Sequence, residues 1–299
     1  MIISETEKMN SVSFFICNKN IIFNLILYFK NKILIRERCY NINIILIVRR
    51  HRMLFNEFGK KGSPTILIMH GMLQDWHTEY EMLKPLEESF RIIIPAMDGM
   101  YPNSPKFTNF TDQCRQIENY IKNNYNGKIK GVFGSSQGGA VMTELLARNN
   151  IEIDTAVLDG VYLAHHGKSA AYCTYKMLKY YKDNRKFPKA LNILMKLMGL
   201  GSNDYEIFET MYWNVTDISM KKNLYENFTY RANPNIKNSD TKIYLWCGSK
   251  ERYALKSHKI LKKYLQNFEE EIFEGYGHMQ MLMQNQNEVC KKLIKIYKV

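Results

Sequence analysis

One serine has glycines two residues before and two residues after it, in Gly134-Ser135-Ser136-Gln137-Gly138-Gly139. This G-x-S-x-G spacing suits a nucleophile. A reactive hydroxyl must stand at the tip of a tight strand-to-helix turn with strained backbone dihedrals, where side chains two residues away on either side would collide. The spacing selects Ser136 over Ser135. A serine hydroxyl is a weak nucleophile at its own pKa and needs a base within hydrogen-bond reach, and an imidazole titrating near neutrality fits that need. Of the seven histidines, His51 lies ahead of the main domain, and His77 and His258 fall within expected helices. His165 and His166 open a helical stretch with no acidic ligands at helical spacing. His70 ends an expected strand and reads as structural. His278, in Gly275-Tyr276-Gly277-His278, occupies a glycine-flanked loop before the last helix and is the candidate base.

The elements that must position these groups follow from hydrophobic patterning. Apolar, β-branched runs predict buried strands over Thr65–Met69, Arg91–Ile94 (closed by Pro95), Ile129–Phe133, Thr155–Leu158, Lys242–Cys247 and Glu270–Phe273. Between them, amphipathic spacing predicts helices over Asp75–Glu88, Thr111–Tyr125, Gly139–Arg148 and Ala254–Gln266, with a closing helix from Gln280 to Tyr297. Strands alternating with helices imply an α/β fold whose mostly parallel central sheet is covered on both faces. The alternation stops between 161 and 234. There Leu191, Leu194, Met195 and Met198 fall at helical spacing, Asn203 and Glu206 form a capping-box pattern, and Met220, Leu224 and Phe228 mark a further helix.

From the Ser136 turn and these elements, residues 53–299 resemble the α/β-hydrolase family, of the serine esterase and lipase type. The resemblance implies a core of residues 53–160 and 235–299, with residues 161–234 as a helical cap. It implies that His70-Gly71-Met72 supplies the Met72 N–H, which with the Gln137 N–H forms an oxyanion hole. It places the catalytic histidine at His278. Its acid, usually the Asp of a Gly-x-x-Asp loop, falls here on Glu251 of Gly248-Ser249-Lys250-Glu251, one methylene longer. Asp159, ending the preceding strand, is the alternative acid. Trp76, Tyr162 and Trp213 are candidate pocket residues, with core packing as the competing role for Trp76. The Met- and Tyr-rich cap suits a small-to-medium hydrophobic carboxylic ester or thioester, cleaved through an acyl-enzyme. The same triad would serve an acyltransferase, and a non-catalytic ligand-binding member of the fold is the alternative from a different class.

Composition narrows the field. At 24% charged and 45% hydrophobic residues, the chain can bury a large core. The formal net charge of +13 includes nine basic against three acidic residues ahead of Met53, and the rest of the excess is spread without a basic block. A small-molecule substrate is therefore expected, rather than nucleic acid. Six cysteines without C-x-x-C spacing read as reduced thiols of a cytoplasmic protein, with no metal site and no cofactor. Residues 1–52 contain short apolar runs, none near the ~20 residues that span a bilayer, so no stable membrane insertion is expected. They are expected to be a poorly ordered extension or a mis-assigned start before Met53, with an interfacial anchor as the rival reading.

Overall fold

The structure, a computed structural model, describes residues 26–28, 34–39, 42–47, 53–72, 74–163, 166–184, 193 and 215–298. The chain forms two units, Met1–Arg52 and Met53–Val299. In the first, β1 (Ile26–Tyr28), β2 (Leu34–Cys39) and β3 (Ile42–Ile47) form a sheet ordered β1-β3-β2, with β3 parallel to β1 and antiparallel to β2. β1 falls within the apolar run Leu25–Phe29, and β3 overlaps the run Ile44–Val48.

The second unit is built on a sheet of seven strands. In chain order they are β4 (Leu54–Phe58), β5 (Thr65–Met69), β6 (Arg91–Ala96), β7 (Lys128–Ser135), β8 (Glu152–Asp159), β9 (Lys242–Gly248) and β10 (Phe268–Phe273). Their spatial order is β10-β9-β8-β7-β5-β6-β4, and every pairing is parallel except β4 against β6. The central strands are buried along most of their length because both faces are covered, and alternate residues go to opposite sides. Leu67, Met69, Ile93, Val132, Ala156 and Leu158 face one core with α2 (Phe110–Tyr125) and α3 (Gln137–Arg148). Ile66, Ile68, Ile92, Ile94, Phe133 and Val157 face the other, with α1 (Trp76–Leu83) and the C-terminal helix.

Between β8 and β9 the described elements are helical: α4 (Lys168–Asn184), α5 (Asp217–Thr229) and a 3-10 turn at Pro234–Asn238. The helix expected over Leu191–Met198, of which only residue 193 is described, and the capping-box pattern at Asn203 and Glu206 lie outside the described residues. α6 (Arg252–Leu261) follows β9, and α7 (Gln280–Gln284) and α8 (Gln286–Lys298) follow β10. Helix ends are set by local chemistry. Asn109 caps α2 by accepting from Asp112 N–H at 2.8 Å, and Asn126 and Asn149 end α2 and α3 in the left-handed region.

The structure departs from the sequence reading at four places. Pro95 lies inside β6 rather than closing it, because the β5–β6 register stops at Leu67↔Ile93, leaving Pro95 beyond that ladder. Pro85 converts the end of the first expected helix into a 3-10 turn over Lys84–Glu88. The closing helix breaks at Asn285, with φ −132°. The edge strand β4 was not anticipated, since Asn56 and Glu57 sit at its centre.

The C-terminal helix is pinned to the middle of the sheet. Fully buried Tyr297 donates its hydroxyl to the Val132 carbonyl at 2.6 Å. Tyr297→Phe should lower the unfolding free energy by about 1 kcal/mol. Urea titration checks this, and an unchanged midpoint would mean that the bond contributes nothing.

Candidate active site

The turn after β7 has the geometry that its glycines foreshadow. Ser136 sits at φ 53°, ψ −117°, between the strand and the first turn of α3. A Cβ on Gly138 would lie 2.0 Å from the Met69 carbonyl oxygen, and one on Gly134 would lie 2.7 Å from the Gly138 backbone. Only glycine fits either place. The Ser136 N–H donates to the Asp159 carbonyl at 2.7 Å, which ties the turn to the end of β8.

His278 arrives from the loop between β10 and α7. Its Nε2 lies 2.8 Å from Ser136 Oγ and its Nδ1 lies 2.5 Å from Glu251 Oε2. Glu251 stands between β9 and α6, and its other oxygen accepts the Gly248 N–H at 2.7 Å. The consistent proton arrangement has Nδ1–H donating to Glu251 and Nε2 accepting from the Ser136 hydroxyl. All three side chains are buried, with relative exposures of 8% for Ser136, 4% for His278 and 1% for Glu251. Gly160, at φ +59°, backs onto the pair: a Cβ there would stand 3.0 Å from both Glu251 Oε2 and His278 Nδ1.

The other sequence candidates fall as follows. Asp159 does not touch the imidazole. Its carboxyl is pushed well above the usual range, by burial first and then by the charges of Glu251 and Glu79. Met72 lies on the loop after β5 and Gln137 opens α3, and neither N–H has an acceptor among the described residues. As the first residue of α3, Gln137 has no intrahelical carbonyl to bond. The loop after β5 runs close to Ser136, since a Cβ on Gly71 would lie 3.6 Å from Ser136 Cβ. Tyr162 stacks on the His278 ring at 4.7 Å, with its hydroxyl oxygen buried. The ring contacts of Trp76 are with Phe58, His77 and Tyr80, so packing is the role its surroundings give it. Trp213 lies outside the described residues. The His70 ring is structural: Nδ1 meets the Gly71 carbonyl at 3.0 Å and Nε2 accepts the Met97 N–H at 3.1 Å.

A family model described as alpha/beta hydrolase fold matches residues 64–186. The chain has the α/β-hydrolase fold. Solved structures agree. An alpha/beta hydrolase family protein of Desulfitobacterium hafniense superposes with a TM-score of 0.70 at 18% identity, over 81% of this chain and 99% of that one. An esterase from Exiguobacterium antarcticum gives 0.67 at 14% identity, over 83% and 96%. A structure from work on carboxylesterases of Nitrososphaera gargenis gives 0.66 at 13%, over 82% and 95%. No curated protein matches the sequence.

In this α/β-hydrolase fold, the sequence reading missed Glu79 of α1. It is fully buried beneath the Ser136 turn, where it accepts a hydrogen bond from the Ser135 hydroxyl. A glutamate inside an amphipathic helix reads as solvent-facing, so composition offered no signal. Burial pushes its carboxyl up to about 7, although the Ser135 hydroxyl and Gly71 N–H pull it back. Folding therefore favours the protonated form. The resulting stabilisation is complete below about pH 4.5, the unfolded value, and is lost as pH rises through about 7. Glu79→Gln keeps the shape and a carbonyl for Ser135 while fixing the neutral state. It should match the native chain near about pH 5 and exceed its stability by about 3 kcal/mol near about pH 8. Thermal melts across that range test this, and a variant with no advantage at alkaline pH would contradict it.

Proposed function

We propose that the protein is a serine hydrolase acting on a carboxylic ester or thioester with a small-to-medium hydrophobic portion. The observation that supports this most directly is the hydrogen-bonded series from Ser136 through His278 to Glu251, with links of 2.8 and 2.5 Å. Ser136 Oγ attacks the carbonyl carbon as His278 Nε2 takes its proton, and Glu251 holds the ring and stabilises the imidazolium. The negative charge developing on the carbonyl oxygen is received by the Met72 and Gln137 N–H groups, whose lack of other acceptors among the described residues suits that role. His278 then returns its proton to the departing alcohol or thiol, leaving an acyl-serine. Water activated by the same imidazole releases the acid and restores the hydroxyl. Residues 161–234 act as the cap in this reading. Tyr162 and Tyr253, in edge-on contact at 6.0 Å, would form an apolar wall beside the base for the hydrophobic part of the substrate.

The esterases among the structural neighbours agree with this class of reaction, and the low identities leave the acyl chain to experiment. Ser136→Ala should lower kcat on a nitrophenyl ester by at least ~10⁴. Glu251→Gln should cost less than Ser136→Ala but clearly more than Asp159→Asn, because Glu251 is the carboxyl on the imidazole. A fluorophosphonate probe should label Ser136 covalently. Absence of labelling, under conditions that label a control esterase, would refute the hydrolase reading and favour a ligand-binding role.

A further inference from the structure

The helix α5 belongs to the insertion, yet its inner face is tied to the core through polar side chains rather than apolar ones alone. Asn223 and Gln137 form a reciprocal amide pair: Gln137 Nε2 donates to Asn223 Oδ1, and Asn223 Nδ2 donates to Gln137 Oε1, each at 3.0 Å. Asn223 is 0% exposed and Gln137 is 1% exposed. One turn further on, Asn227 Nδ2 approaches Met72 Sδ at 3.5 Å. Two more residues of the same helix hold a different part of the core, with Ser219 Oγ accepting Phe107 N–H at 3.3 Å and Glu226 Oε1 accepting Phe110 N–H at 3.1 Å.

The pairing of asparagines with targets is what matters. Asn223 and Asn227 are four residues apart, hence neighbours on one helix face. Their partners are the two residues whose backbone N–H groups form the oxyanion hole in the reading above. A fully buried reciprocal amide pair fixes both side chains, since breaking it orphans a donor and an acceptor in a dry environment. Gln137 is the first residue of α3, so constraining its side chain constrains the peptide that presents its N–H. The Met72 contact, a weaker bond to sulfur, holds the opposite loop.

We infer that α5 is the positioning element of the oxyanion hole, Asn223 fixing Gln137 and Asn227 fixing Met72. This rests on the serine-hydrolase reading. Asn223 and Asn227 are positioning residues, since they act through the backbone of their partners. Stabilisation of the oxyanion depends on donor placement, and misplacement by about 1 Å costs on the order of 10²-fold in rate. The effect belongs to the transition state, so it should appear in kcat with little change in KM.

The test is a double-mutant cycle in the full chain, using Asn223→Leu, Gln137→Leu and the double variant. It reads kcat and KM on a nitrophenyl ester and the affinity for an alkylboronic acid, whose tetrahedral adduct places an oxygen in the hole. Each single variant should lose about 10- to 100-fold in kcat with KM within about twofold, and boronate affinity should fall in parallel. The double variant should be no worse than the poorer single, because both remove the same bond. Ser219→Ala serves as the control: it loosens α5 at Phe107, so it should lower Tm and leave kcat near that of the native chain. A folded Asn223→Leu variant with native kcat, or kcat losses that multiply in the double variant, would overturn the inference. If Asn223→Leu does not fold, Asn223→Asp, which keeps the shape but removes the donor, and Asn227→Leu decide by the same kcat reading. Native protein that neither turns over esters nor takes the fluorophosphonate would bring down the hydrolase reading and this inference together. Native activity with unaffected variants would bring down only the role of α5.

Discussion

The backbone at Ser136 is held where a residue with a side chain is unfavourable, at φ 53° and ψ −117°. Such a conformation costs on the order of 1–3 kcal/mol and persists only when its surroundings over-determine it. Here they do. The backbone of Met69 in β5 closes to within contact of Gly138, the end of β8 accepts the Ser136 N–H, and β7 enters the turn fully buried from Gly131 onward. Three parallel strands must therefore end level with one another for the turn to exist. The same levelling puts the loops after β5, β9 and β10 around the serine. Groups far apart in sequence meet because the sheet sets where its strands end: 142 residues separate Ser136 from His278, and 27 separate His278 from Glu251.

Three carboxyl groups crowd this turn, and their environments separate them. Glu251 receives Gly248 N–H and faces the His278 ring, so a negative charge there has two donors. Asp159 and Glu79 are buried nearby with raised pKa values, and Asp159 is held up partly by the charges of the other two. Burial favours the protonated form of both, and at Asp159 the neighbouring charges add to it, since like charges in a low-dielectric environment cannot all form cheaply. Glu79 accepts the Ser135 hydroxyl beneath the turn, and Glu251 alone of the three carboxyls meets the imidazole.

Much of this architecture was legible in the sequence, and the exceptions have specific causes. Strands buried on both faces appear as unbroken apolar runs, so β5 to β9 stood out; β4, with Leu54 50% exposed and Asn56 and Glu57 inside it, did not. The Ser136 turn was legible because its constraint is local and fixes glycines at set offsets. The choice of Glu251 over Asp159 rested on a Gly-x-x-Asp loop match alone, because Asp159 ends β8 and Glu251 lies just beyond the neighbouring β9, and side-chain reach to His278 is a property of the fold. Asn223 and Asn227 left a trace that was overlooked. With Met220, Leu224 and Phe228 they complete the i, i+3, i+4, i+7, i+8 stripe of an inward-facing helix, and a polar residue in such a stripe implies a buried partner.

The balance between fixed and free positions also explains how structures at 13–18% identity superpose at TM-scores of 0.66–0.70. The interchangeable part of this chain is its two apolar cores. There Ile66, Ile92, Val132, Val157 and their neighbours need only match in volume and face, and cores tolerate wide exchange on those terms. The fixed part is small: glycines whose Cβ would meet backbone, the strained serine, and polar groups whose burial demands a particular partner. A polar tether such as Asn223–Gln137 belongs to the fixed part in energy but to the insertion in sequence. Changing the sequence of the insertion would therefore have to preserve or replace those tethers, which couples it to the turn beneath it more tightly than apolar contacts alone would.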